Sequence, residues 1–319
     1  MSFILGVDTG GTYTDAVILE DEERVIAFSK ALTTHSDLSL GIGSAIKKAV
    51  KQRNTAPEKI SLVSLSTTLA TNALVEGQGD RVALVMIGFQ DSDLEKHSIF
   101  DALKGDPFLV IEGGHNYAGF EKSRLAKNIL SRWVSEIKGV SAYAVCSQFA
   151  VRNPEHELEA AEIIRKLTDK PVSLSHQISA KLNGPKRALT AVLNARLIAL
   201  IDLLIVKAEH VIKSLGILAP LMVVRGDGAL ISAAQAREKP IETILSGPAA
   251  SIVGARWLTG ETEAIISDIG GTTTDIAVLK GGKPAIDPRG ASVGPYRTMV
   301  EAVAMYTFCL LYTSDAADE

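Results

Sequence analysis

Apolar and polar positions alternate in short runs at the start of the chain, then settle into a helical beat. Ile4 to Val7, Ala16 to Leu19 and Val25 to Ser29 read as three strands. From Asp37 to Arg53 the apolar positions Ile42, Ala45, Ile46, Ala49 and Val50 fall on one face of a helix, with Ser36 or Asp37 placed to cap it. Strands follow at Ile60–Ser64 and Val82–Ile87 around a short helix at Thr68–Val75. The stretch from Gly88 to Gly119 is irregular, with one strand near Leu109–Ile111. Helices at Lys122–Lys138 and Glu155–Leu167 then bracket a strand at Ser141–Cys146, and a long apolar helix runs from Lys186 to Leu215. Beyond it the pattern predicts a strand at Leu221–Val224, helices at Ser232–Arg237 and Ala249–Leu258, and a final pair of strands. Strands alternating with helices make the fold class α/β.

One pattern occurs twice. Asp8-Thr9-Gly10-Gly11-Thr12 belongs to a segment that runs on to Thr14-Asp15, and Asp268, Gly270, Gly271, Thr272, Thr274 and Asp275 repeat its key positions, D-x-G-G-T-x-T-D in both. Apolar runs flank each copy, so each reads as a hairpin with a glycine turn at its tip. Side-chain-free Gly10, Gly11, Gly270 and Gly271 let backbone N–H groups approach phosphate oxygens. The hydroxyls of Thr12, Thr14, Thr272, Thr273 and Thr274 can donate to the same oxygens. Asp8 and Asp268 stand at strand ends, where a carboxylate can hold Mg²⁺ directly or through water. Asp15 and Asp275 are expected to brace the hairpins by accepting backbone N–H bonds. Two such hairpins across one cleft would grip a polyphosphate from both sides. Neither a P-loop nor a dinucleotide fingerprint occurs at a suitable place.

Composition narrows the classes. With 319 residues, 46% of them apolar, the chain can bury sizeable cores and is expected to form two domains. A formal charge of −4 and no dense basic cluster argue against a nucleic-acid partner. Two cysteines, Cys146 and Cys309, exclude a disulfide framework and a four-cysteine metal site. No signal-peptide pattern opens the chain, so a cytoplasmic location is expected. The most apolar stretch, Ala191 to Ala208, includes Asn194, Arg196, Asp202 and Lys207, which suits a buried helix better than a membrane span.

At the repeated motif the chain resembles the actin-like ATPase superfamily. Further segments sharpen this: Ser66 to Leu74, Phe149 to Glu157, Thr190 to Ala195, Gly226-Asp227-Gly228 and Leu245 to Ala250 together resemble the hydantoinase A/oxoprolinase family from Ile4 to about Val303. The resemblance implies two ribonuclease-H-like domains, the first over residues 1–185 and the second, incomplete, over 186–308. It implies that Asp8, Gly10, Gly11 and Thr12 form one phosphate loop and Asp268, Gly270, Gly271 and Thr272 the other, around ATP and Mg²⁺. The implied activity is ATP-dependent ring opening of a cyclic amide such as a hydantoin or 5-oxoproline, with a B-type subunit as hydrolytic partner. Alternatives within the resemblance are a subunit of an ATP-dependent ketone carboxylase, a sugar or carboxylate kinase, and a non-catalytic nucleotide switch.

Ser246 and Gly247 open a helix whose amides could meet phosphate or substrate, while Thr67, Thr68, Thr71 and Asn72 could line the cleft or serve as caps. His115, in a Gly-Gly-His-Asn turn, is a candidate base or ligand; scattered histidines argue against zinc. Residues 309–319 continue no earlier pattern and back-translate to something like a transposase-type sequencing adapter, so they are expected to be non-native. In this superfamily the adenosine contacts lie after the second hairpin, so the chain as given is expected to bind Mg-ATP weakly.

Overall fold

The computed structural model describes residues 2–53, 55–269 and 273–309. Three antiparallel strands open it: β1 (Phe3–Thr9), β2 (Tyr13–Glu20) and β3 (Arg24–Leu32). Helix α1 (Leu38–Arg53) crosses behind them and β4 (Ile60–Thr67) returns parallel to β1. Side chains of a strand alternate between faces, so Leu5 and Val7 of β1 and Ala16 and Ile18 of β2 share one side. That side is fully covered by Ile42, Ala45, Ile46 and Ala49 of α1. Asp37 caps this helix, its Oδ1 accepting from Ser39 N at 3.1 Å.

A second sheet follows helix α2 (Leu69–Val75). It comprises β5 (Val82–Ile87), then, after helix α3 (Ile99–Leu103), β6 (Phe108–Ile111), and, after helix α4 (Lys127–Glu136), β7 (Ala142–Ser147); helix α5 (Glu155–Thr168) precedes its last strand, β8 (Val172–Leu174). All four strands are parallel in the order β6-β5-β7-β8. Every residue of β5 and β7 is buried, as a parallel sheet covered on both faces requires.

A short helix α6 (Ser175–Ile178) leads into α7 (Gly184–Ser214), the spine of the molecule. It is long and apolar enough to cross a membrane, yet two thirds of its most apolar window is buried inside the protein. Its polar side chains find partners there. Arg196, nearly inaccessible, pairs with Asp106 at 2.7 Å and donates to the carbonyls of Asp80, Ala102 and Leu103. Past α7, β9 (Leu221–Val224) and β10 (Leu230–Ser232) join the first sheet, giving β10-β9-β4-β1-β2-β3. Three antiparallel strands continued by parallel ones is the ribonuclease-H-like arrangement. This sheet thus draws strands from both sides of the boundary expected at residue 185.

Helices α8 (Ala233–Glu238) and α9 (Ser246–Thr259) precede the second hairpin, β11 (Ala264–Ile269) and β12 (Thr273–Lys280). β13 (Lys283–Pro284) continues it, β14 (Ser292–Val293) and β15 (Tyr296–Arg297) form a small ribbon, and β16 (Met305–Cys309) pairs with β12. Of the tail expected to be foreign, Cys309 closes β16 and residues 310–319 lie outside the described residues.

Four differences from the sequence reading have local causes. α3 lies inside the stretch read as irregular, because it is only five residues long and offers too little periodicity. β8 and β10, three residues each, are likewise too short to read. α4 starts at Lys127 rather than Lys122. α9 starts at Ser246 rather than Ala249, since Pro248 falls in the first turn, where no backbone N–H is needed.

Candidate nucleotide site

Strand register builds the site. Asp8 lies directly opposite Asp15 across the first hairpin, and Asp268 directly opposite Asp275 across the second. Opposed residues share a face, so each hairpin presents two carboxylates side by side, away from the face α1 covers in the first. Like charges so placed repel unless a cation joins them. Lys30, across from Asp15, approaches it to 3.5 Å and also lies 4.9 Å from the centre of the Tyr13 ring. Asp275 accepts from Thr307 Oγ1 at 2.6 Å. The two outer carboxylates therefore take side-chain partners, not the backbone N–H bonds expected of them.

Asp8 is the electrostatic centre. Its own surface is exposed, yet the protein around it desolvates its carboxylate. That desolvation raises its pKa above the ordinary 3.8; a hydrogen bond from Ser66 Oγ opposes the rise, and the charges of Asp15 and Asp268 add to it. The reach of Asp268 onto Asp8 puts the two hairpins in each other's field, although 260 residues separate them in sequence. Asp275 is raised too, by burial and then by Asp268, with the Thr307 hydrogen bond opposing.

At the tip of the first hairpin, Gly10 N–H donates to Tyr13 O at 3.0 Å, so this amide is spent on closing the turn. Gly11 and Thr12 are exposed. A Cβ built on Gly11 would meet nothing within 4 Å, so packing inside the chain does not require glycine there and the space beside the turn is open. Thr14 does not serve as expected. It is fully buried on the face opposite Asp8, and its hydroxyl bonds Thr33 Oγ1 at 3.1 Å under α1. Thr33, absent from the expected set, braces the turn through Thr12 O and Gly10 O. Of the second tip, Gly270, Gly271 and Thr272 lie outside the described residues; Thr273 begins β12.

Ser246 is also a correction. Wholly buried, its hydroxyl donates to Thr67 O at 2.9 Å and accepts from Thr67 N at 3.3 Å, so it is a latch and not a ligand. Leu245 N donates to Thr71 Oγ1, and Leu245 itself holds a left-handed backbone (φ 59°). Gly247 faces Thr68 across an ordinary contact distance, 3.5 Å from a built Cβ. Thr67 Oγ1 accepts from Leu69 N, while Thr68, at the N-cap position of α2, makes no side-chain capping bond and accepts from Asn72 Nδ2 instead. Since Thr67 pairs with Thr9 and Ser66 with Asp8, the latch ties α9, and with it Asp268's sheet, to the strand ends that carry Asp8. Gly226-Asp227-Gly228 is a turn: Asp227 pairs with Arg225 at 2.8 Å, and a Cβ on Gly226 would lie 2.3 Å from Ile244 O. His115 sits away from these residues, fully buried beside His156 with ring centres 4.5 Å apart. Cys146 is buried, its thiol pushed up to about 12 by desolvation.

Among the described residues, no three His, Cys, Asp or Glu side chains converge on one point as a self-sufficient metal cage does. Paired aspartates suit Mg²⁺, which keeps waters and completes its shell with phosphate oxygens. Asp8 and Asp268 would hold it.

A ribonuclease-H-like sheet, a duplicated aspartate hairpin and a latch between them define a fold of the actin-like ATPase class. The particular family follows from comparison. The hydantoinase/oxoprolinase N-terminal region model matches residues 4–168 and the hydantoinase/oxoprolinase model matches 187–311; the chain belongs to this family. It is 28% identical over 304 residues to the caprolactamase alpha subunit of Pseudomonas jessenii, covering 88% of this chain and 44% of that protein. It is 26% identical to the acetophenone carboxylase gamma subunit of Aromatoleum aromaticum, over 86% and 42% of the two chains. It is 26% identical to Arabidopsis thaliana 5-oxoprolinase 1, over 86% and 25%. The structure superposes on the ATP-dependent caprolactamase of P. jessenii with a TM-score of 0.81 and 26% identity, over 96% of this chain and 48% of that one. The chain therefore spans less than half the length of these relatives.

Proposed function

We propose that this chain is the nucleotide-using part of an ATP-dependent enzyme that opens a cyclic amide. The observation that carries the reading is the pair of aspartate hairpins, tied together by the Ser246–Thr67 latch at the strand ends that carry Asp8. Amide resonance makes a lactam carbon a poor electrophile and its oxygen a poor leaving group. If the carbonyl oxygen takes the γ-phosphoryl group and ADP departs, one water can add to the same carbon. The C–N bond of that adduct then breaks with the amine taking a proton, and a second water hydrolyses the resulting acyl phosphate to carboxylate and phosphate. Such transfer needs positioning and charge neutralisation more than covalent chemistry. Bound Mg²⁺ would supply charge neutralisation at the phosphates. Exposed Gly11 and Thr12 give the polyphosphate an approach to the backbone, while Ser66 holds Asp8 in its ionised form. A hydrolytic B-type subunit is the expected partner.

The test measures ATP hydrolysis by the enzyme with its partner subunit, with and without hydantoin, 5-oxoproline or caprolactam. Turnover that rises only with a cyclic amide supports the reading. Turnover that ignores all three and rises instead with an enolisable ketone and bicarbonate would favour a second reading, a carboxylase subunit, toward which the likeness to acetophenone carboxylase points.

A further inference from the structure

The parallel sheet carries a feature that the phosphate cleft does not use. β5 has β6 on one side and β7 on the other, so the direction of winding reverses between β5 and β7. In open parallel sheets, ligands settle in the crevice beyond the carboxyl ends of the strands at such a reversal. A cavity of about 410 Å³ lies there, walled by Phe89, His97, Gln148, Phe149, Asn183 and Arg187. Its size falls within the roughly 300–1,000 Å³ of small-molecule sites.

Two further observations set this place apart. His97 (φ 55°), Phe149 (φ 56°) and Asn183 (φ 91°) all hold left-handed backbone, a strain that collects where ligands bind. Buried polar atoms without hydrogen-bond partners collect at the same strand ends. They are Gln148 Oε1, Ser147 Oγ and both ring nitrogens of His115, whose backbone N–H donates to Gln148 O. Native interiors leave few such atoms unpaired. Gln148 lines the cavity, and half a turn of its carboxamide would present the unpaired oxygen to an occupant.

We propose that this crevice binds a small, flat, uncharged amide. The rings of Phe89 and Phe149 supply apolar surface for a flat molecule. Its cations are already committed: Lys96 to Asp93 at 2.6 Å, and Arg187 to Ser175 Oγ, Lys181 O and Ser147 O. Burial, and then the charge of Lys186, lowers the pKa of His97. An anion would find no free counter-charge. What the walls do offer is the Gln148 carboxamide, a donor and an acceptor on one group and so the complement of an N–H beside a C=O, whereas Asn183 Oδ1 is already taken by Lys186 N. This assignment rests on the cyclic-amide reading for the kind of occupant and on the crevice alone for its place, and it uses none of the phosphate-binding residues.

The experiment titrates the full chain, without nucleotide, with hydantoin and separately with acetate, following backbone amide NMR signals. Hydantoin is expected to shift Phe89, Gln148 and Phe149 saturably, and acetate to leave them still. Gln148→Met should weaken hydantoin binding at least about tenfold, as losing a paired contact in a desolvated site does, with the melting temperature unchanged. Phe149→Asn, which keeps a residue tolerant of left-handed backbone, should weaken it as well. Absence of hydantoin shifts in the wild type, preference for acetate, or unaltered affinity in both variants would each overturn the proposal. Because no ATP is present, these failures would leave the nucleotide reading untouched, and loss of ATP binding would leave this one untouched.

Discussion

The two hairpins share a motif and a register but differ in what supports them. In the first, the face opposite the aspartates is sealed by α1, and Leu5, Ala16, Ile18, Ile42 and Ile46 are at most 1% accessible. In the second, α9 covers the aspartate face instead, over a core of five buried residues: Ala249, Ile252, Ala277, Leu279 and Val303. The opposite face is open, with Ile265 77%, Ile269 70% and Val278 46% exposed. The D-x-G-G-T-x-T-D pattern thus specifies a turn and a pair of carboxylates. It does not specify the cover, which each hairpin takes from a different helix.

If both hairpins clamp one polyphosphate, Asp8→Ala and Asp268→Ala should each lower Mg-ATP-dependent turnover by about two to three orders of magnitude, the usual loss when a charge-stabilising partner is removed. A silent Asp268 variant would mean that only the first hairpin works. Next in size, Ile46→Ala should cost about 2–5 kcal/mol in denaturant titrations, since it empties a sealed core. Ile252→Ala should instead abolish hydrogen-exchange protection in β11 and β12 while leaving β1 and β2 protected. Ser246→Ala removes two buried hydrogen bonds of the latch and should cost about 1–3 kcal/mol. Thr14→Val should cost about 1 kcal/mol and leave nucleotide affinity unchanged, because its hydroxyl serves Thr33 and not phosphate.

The smallest effect is a pH dependence. Folding raises the pKa of Asp8, so the native state holds that proton more tightly than the unfolded chain does. The stabilisation this gives is complete below the unfolded pKa near 3.8 and is lost as pH climbs through the raised native value. Asp8→Asn should therefore melt slightly higher than the wild type at pH 7, with the difference gone below about pH 3.8; equal melting temperatures at pH 7 would contradict the crowded cleft.

Much of this was legible in the sequence, because strong periodicity and a duplicated motif are local signals. β5 and β7 announce themselves by unbroken apolar runs, and α1 by its spacing. Roles that depend on which way a hydroxyl points were harder. Thr14 looks like a phosphate donor in a string of residues, yet its parity with Thr9 turns it under α1. Counting in twos from Asp15 would have shown this. Ser246 could not be read the same way, since its partner Thr67 lies 179 residues earlier. Thr33 left no signal at all, being an ordinary threonine after a strand.

The first sheet also has a history written into its connectivity. β4 must wait for β9, which emerges from the ribosome only after the whole parallel sheet and α7 have been made. At about 5–20 residues per second that delay is roughly ten to thirty seconds. During synthesis the strand bearing Ser66 and Thr67 is therefore an unpaired edge on that side until β9 arrives.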